Sequence, residues 1–268
     1  MKKIIVISFL FVFALSAWAF HIVSETAAGK TKKLELEKTI VLVHGAFADG
    51  SSWNKVVPIL QKQGLKTIAV QNPLSSLRDD VDFTTRAIEE ASGKVILVGH
   101  SWGGMVITEA GNHEKVESLV YVSAFAPDDN EHLHDILNTA HKVKKIPTVP
   151  GFVDPIIDNY GFIRLSEETV VKYFAPDIPK SDAKLIAAHQ GKLQKDALDQ
   201  KITQAAWKNK PAWFIISAND KMIAPDVMRN MAARIGAKTY ELPTSHVPML
   251  SRPKQVAKII IEAARGSN

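Results

Sequence analysis

The 268 residues are 46% hydrophobic and 23% charged, an ordinary globular balance with enough chain for one large domain or a domain carrying an insertion. The net charge of +5 includes Lys2 and Lys3 and is too small and too scattered to argue for a nucleic-acid or membrane surface. No cysteine is present, which excludes disulfides, thiolate metal sites, a cysteine nucleophile and a lipid-anchored cysteine.

Met1-Lys2-Lys3 is basic, residues 4–17 form an uncharged apolar run, and Ala17-Trp18-Ala19 is a small-x-small step. This pattern predicts a signal peptide over residues 1–19 and export to the periplasm or beyond. The alternative is an uncleaved membrane anchor, but the apolar core is shorter than the ~20 residues of a span. Residues 20–33 read as a polar tether, and residues 34–268 as the folded domain, with no stable membrane insertion of its own.

Ile40-Val41-Leu42-Val43 marks a first strand over 39–44, which the alternating Leu34-Glu35-Leu36-Glu37 extends along a wetter edge. A small-residue loop runs from His44 to Gly50. Ser51 or Ser52 then caps a helix with Trp53, Val56, Val57 and Leu60 on one face, ended by Gly64. Residues 66–71 read as a strand. Residues 77–92 read as a helix whose early Asp79, Asp80 and Asp82 suit the helix dipole. Lys94-Val95-Ile96-Leu97-Val98 is a buried strand, residues 105–110 a helix, and 116–125 another strand.

The strand-helix alternation then stops. Residues 126–210 are proline-punctuated and helical in pattern, with helices expected at 131–143, at 167–174 behind Ser166, at 182–190 behind Ser181, and at 197–208. So long a stretch is not one loop in a compact domain, so it reads as a helical lid inserted after a strand. Alternation resumes with Trp213-Phe214-Ile215-Ile216, a helix over 225–235 with Gly236 at C′, a polar edge strand over 238–242, and a helix over 253–264. The fold class is α/β: a doubly wound, mostly parallel sheet of about six strands with an inserted helical lid.

Between the 94–98 strand and the 105–110 helix stands Gly99-His100-Ser101-Trp102-Gly103-Gly104. Strand, Gly-x-Ser-x-Gly and helix form the context of a nucleophile elbow, in which glycines remove side chains that collide in the turn. A serine hydroxyl needs an adjacent base, and the base an orienting acid. Asp220 follows the strand ending at Ile216, and His246 follows the strand ending at Leu242. The chain order serine, acid, histidine suits such a sheet. Asp226 is the rival acid, although the helix dipole explains a carboxylate at a helix start. Two oxyanion donors are expected, the backbone N–H of Trp102 and that of Ala46, with Phe47 as the alternate. Phe47 and Gln190 are the candidate substrate contacts, Gln190 sharing a lid helix with Ile186 and His189. His44 and His100 read as loop-fixing groups. His132 and His134 form a His-x-His with no evident third ligand, so no metal is expected.

Together, Val41-Leu42-Val43-His44-Gly45-Ala46 with Trp53, the 99–104 turn, Asp220, and Ser245-His246-Val247-Pro248-Met249-Leu250-Ser251-Arg252-Pro253 resemble an α/β-hydrolase. The subgroup most similar is the small esterases related to plant methylesterases and hydroxynitrile lyases. The resemblance spans about residues 39–264. It implies cofactor-free hydrolysis of a small-molecule ester (or lactone), with Ser101, Asp220 and His246 as the triad. There are two departures. Plant members usually carry leucine where Trp102 stands, and the lid cannot be matched. Two alternatives accompany this reading. A C–C lyase is one, but family lyases carry lysine where this chain has Val247. The other is a slow ligand-binding receptor on the same scaffold.

Overall fold

The computed structural model describes residues 37–266. The expected signal peptide, the tether and the strand extension through Leu34 to Leu36 lie outside the described residues. The strands are β1 (Lys38–Val43), β2 (Lys66–Ala69), β3 (Lys94–His100), β4 (Val116–Val122), β5 (Ile156–Ile157), β6 (Phe162–Arg164), β7 (Leu193–Gln194), β8 (Ala212–Ser217) and β9 (Lys238–Leu242).

Six of them form one sheet in the order β2-β1-β3-β4-β8-β9, with every neighbouring pair parallel. The β1, β3, β4 and β8 runs are almost wholly buried, as strands covered on both faces must be, and their unbroken Val/Ile/Leu content reflects it. β9 is a partly exposed edge. The helix Pro253–Arg265 packs with Val57–Lys62, and Leu77–Glu90 packs with Gly103–Ala110. The chain runs from β1 outward to β2 and returns on the other side of β1 as β3. That reversal opens a crevice at the carboxyl ends of β1 and β3. The loop after His44 and the turn at Ser101 both emerge there.

Between β4 and β8 the chain leaves the main sheet. It forms the helices Leu133–Asn138 and Lys180–His189, wider π-type turns at Thr139–Val143 and Val170–Phe174, and a small antiparallel sheet in the order β5-β6-β7. Ser166 caps its helix as expected, accepting the N–H of Thr169 at 3.1 Å.

Three local expectations are corrected. The first helix is capped by Asp49, whose carboxylate accepts Ser51 N–H at 2.7 Å. It opens as a single 3₁₀ turn, Gly50–Trp53, and restarts at Val57 because Pro58 has no N–H to continue the ladder. The lid helix expected behind Ser181 begins at Lys180, after Pro179, with no side-chain cap. Residues 197–208 are not one helix but two short 3₁₀ turns, Lys195–Asp199 and Ala206–Lys208. Ile202 between them exchanges backbone hydrogen bonds with the 130–131 loop: its carbonyl accepts from Asn130 at 3.0 Å and its N–H donates to Glu131 at 3.3 Å. Asp80 lies in the first turn of its helix as expected, and it is fully buried.

Candidate active site

Ser101 sits at the tip of the turn after β3 with φ +52, a left-handed backbone uncommon outside glycine. The flanking glycines serve by absence. A Cβ at Gly99 would come within 2.5 Å of the Gly103 carbonyl oxygen, and one at Gly103 within 2.8 Å of the carbonyl oxygens of Val43 and His44. The elbow therefore packs directly on the end of β1. The strain sits on the serine, not on its glycines.

His246 joins the three predicted residues. Its Nδ1 is 2.7 Å from Asp220 Oδ2, and its Nε2 is 2.9 Å from Ser101 Oγ. A carboxylate only accepts, so Nδ1 donates and Nε2 is left to accept the serine hydroxyl. The pair His246 and Asp220 is buried. Asp220 Oδ1 also accepts the N–H groups of Met222 at 2.7 Å and Ile223 at 3.0 Å, which pins the carboxylate. The rival Asp226 has a side chain 62% exposed and pairs with Arg229 at 2.6 Å. A hydroxyl on an imidazole that a buried carboxylate orients can lose its proton as it attacks a carbonyl.

The neighbouring histidines hold this arrangement. His100 Nε2 donates to the His246 carbonyl at 2.9 Å, and its ring lies 4.8 Å from that of His246. Burial and the neighbouring His246 hold His100 well below the usual imidazole range, so it stays neutral. His44 Nε2 accepts Asn72 N–H at 3.0 Å while Nδ1 donates to the Gly45 carbonyl at 2.8 Å. Burial lowers its pKa as well. Both act as loop-fixing groups.

A cavity of about 80 Å³ opens over Ser101 and His246. Its wall includes Ala46, Phe47, Trp102, Phe125, Leu133, Leu137, Phe152 and Met222, so it is apolar apart from the reacting groups. Phe47 N–H donates to the Gly191 carbonyl at 3.1 Å. The N–H groups of Ala46 and Trp102 have no protein acceptor among the described residues, which favours Ala46 over Phe47 as an oxyanion donor. Phe47 still lines the cavity, with φ +62 and its ring 5.9 Å from that of Phe152.

Gln190 does not reach the cavity. Its Oε1 accepts Leu165 N–H at 2.8 Å, and its Nε2 donates to the carbonyls of Leu165 at 3.0 Å and Ala187 at 2.9 Å. With Ile186 and His189 it lines a separate cavity of about 210 Å³ between the insertion and the first helix. The His-x-His pair gains a neighbour that sequence spacing did not reveal: His134 lies 2.8 Å from Asp199. His132 instead caps its helix, Nδ1 accepting Asp135 N–H at 3.1 Å. The candidate ligand atoms of His132, His134 and Asp199 lie within 4.8 Å of one another, so the third ligand that the sequence did not show is present.

Two supporting carboxylates carried no sequence signal. Asp177, in the insertion, accepts the backbone N–H of Ser245 at 2.8 Å and the Ser245 hydroxyl. Asp80 accepts the indole N–H of Trp102 at 2.8 Å. Both contacts join segments far apart in the chain.

Known proteins share this architecture. Methylesterase 3 of Arabidopsis thaliana is 25% identical over 260 residues, covering 86% of this chain and 97% of that protein. An alpha-hydroxynitrile lyase of the same plant is 24% identical over 252 residues, covering 83% and 95%. The crystal structure of polyneuridine aldehyde esterase superposes with a TM-score of 0.73 at 23% identity, covering 85% of this chain and 99% of the other. The model of the Alpha/beta hydrolase family matches residues 40–259, and with the sheet, turn and crevice described above, the chain belongs to that family.

Proposed function

We propose that the protein is a serine esterase acting on small carboxylic esters. The observation that carries this reading is the buried line from Asp220 through His246 to Ser101, ending in a small apolar cavity. Ser101 Oγ attacks the ester carbonyl while His246 Nε2 takes its proton. Asp220 keeps the imidazole in the accepting tautomer and stabilises the imidazolium. The N–H groups of Ala46 and Trp102 hold the oxyanion. Collapse expels the alcohol, protonated by His246, and leaves an acyl ester on Ser101. Water, deprotonated by the same histidine, then releases the acid and restores the serine. The steps draw on the three side chains, the two backbone N–H groups and water.

The cavity is far below the roughly 300–1,000 Å³ of drug-sized sites, which supports a short or flat apolar group on the bound side of the ester. Leu133, Leu137 and Phe152 come from the insertion, so the insertion serves as the lid that selects this group. The lyase reading finds no support in the sequence, where Val247 rather than lysine follows His246. The basic, apolar and small-residue start supports export; N-terminal sequencing from the native host is expected to begin at Phe20.

A series of p-nitrophenyl esters tests the activity. Many turnovers per enzyme are expected, fastest with short acyl chains. Release of at most one equivalent of nitrophenol would sink the esterase reading and favour a receptor.

A further inference from the structure

Trp102, the departure from the leucine of the plant enzymes, brings a partner with it. Its indole Nε1–H donates to Asp80 Oδ2 at 2.8 Å, and Asp80 Oδ1 accepts the backbone N–H of Leu74 at 2.8 Å. Asp80 is 0% exposed, and a buried carboxylate is costly unless its hydrogen bonds matter. Capping does not require it, because Ser76 caps that helix by accepting Asp79 N–H at 2.9 Å. The two bonds need two acceptors. An amide would turn its NH2 donor toward one of the two N–H groups.

The peptide between Ser101 and Trp102 carries the N–H at issue. Its carbonyl is fixed by Gly104 N–H at 3.0 Å and Phe125 N–H at 3.2 Å, while its N–H has no protein acceptor among the described residues. The indole anchors the far side of the same residue. Asp80 also reaches the cavity wall by a second route. The Leu74 carbonyl accepts Gln194 N–H at 2.9 Å, and the adjacent Leu193 lines the cavity.

We propose that Asp80 is a positioning residue of the esterase site, holding the Trp102 indole so that the Trp102 N–H is aimed at the developing oxyanion. The inference rests on the serine-esterase reading above. Small misplacements of such a donor weaken transition-state binding and leave ground-state binding alone.

The test compares wild type, Asp80→Asn and Ser101→Ala on p-nitrophenyl acetate. It adds inhibition by an alkyl trifluoromethyl ketone, which forms a hemiketal oxyanion on the serine, and by the matching methyl ketone, which binds without one. Asp80→Asn is expected to lower kcat about 10-fold with KM within about twofold. The inhibition constant of the trifluoromethyl ketone should rise about 10-fold, and that of the methyl ketone should stay the same. Unchanged kcat beside a lowered Tm would overturn the proposal, as would equal weakening of both ketones. Should Asp80→Asn not fold, Trp102→Phe removes the same bond from the donor side. The same gap between the two ketones is expected there, and no gap overturns the proposal. An active Ser101→Ala would remove the serine reading and this inference with it. An inactive Ser101→Ala beside an unaffected Asp80→Asn would remove this inference alone.

Discussion

Asp177 holds Ser245 by two hydrogen bonds, one from the backbone N–H at 2.8 Å and one from the hydroxyl, and Ser245 immediately precedes His246. A carboxylate of the insertion thus clamps the loop that carries the imidazole. Asp177→Ala should lower kcat about 10-fold, because the base loses its fixed orientation. Ser245→Ala should cost less, since the bond from the backbone N–H survives. Steady-state kinetics of the two variants check this order; the reverse order would show that the hydroxyl, not the clamp, matters.

The choice of acid is tested by two carboxamides. Asp220→Asn removes the acceptor that fixes the His246 tautomer, and a loss on the order of 10⁴ in kcat is expected. Asp226→Asn breaks an exposed pair with Arg229, and such pairs contribute about 0–1 kcal/mol. Its kcat should match wild type. Comparable losses in both variants would contradict the assignment.

Gln190 makes three hydrogen bonds to the backbone of the insertion, each worth about 1 kcal/mol in general. Gln190→Ala should therefore lower Tm by several degrees and leave the relative rates across an ester series unchanged. This reverses the expectation that residue number and helix position alone suggest. A shifted ester preference at constant Tm would return Gln190 to the substrate.

Asp80 makes stability depend on pH. Burial raises its carboxyl to about 6 from the usual 3.8. The folded state therefore holds the proton more tightly than the unfolded state. The stability contributed by that proton is fully present below pH ~4 and is lost as pH rises through ~6, for a change of about 3 kcal/mol at most. Asp80→Asn cannot titrate. Its stability relative to wild type should rise between pH 4 and pH 7, as measured by denaturant unfolding. A constant difference over that range would contradict the burial argument.

The sheet was legible because β1, β3, β4 and β8 are covered on both faces and so read as unbroken apolar runs. The three converging residues were legible for a related reason. Each lies on a loop at the carboxyl end of its strand, at a distance along the chain that the alternation itself marks. What escaped depends on partners remote in sequence. β5 and β7 are two residues long, too short for any period to show. Residues 197–208 carry apolar spacing suited to a helix, yet Ile202 pairs with the 130–131 loop instead. Asp80 looks like any acidic residue in a first turn until Trp102 is found against it. Asp177 lies between prolines in a segment without a pattern, and nothing local links it to Ser245.

In the proposed mechanism Ser101 carries the acyl group. Treatment with a fluorophosphonate, followed by peptide mass mapping, tests it most directly. One adduct is expected, on the peptide containing Ser101, with activity lost in step with labelling. Ser101→Ala should escape the label and lose about 10⁶ in turnover, as in a comparable triad. Labelling at another serine, or an active Ser101→Ala enzyme, would contradict it.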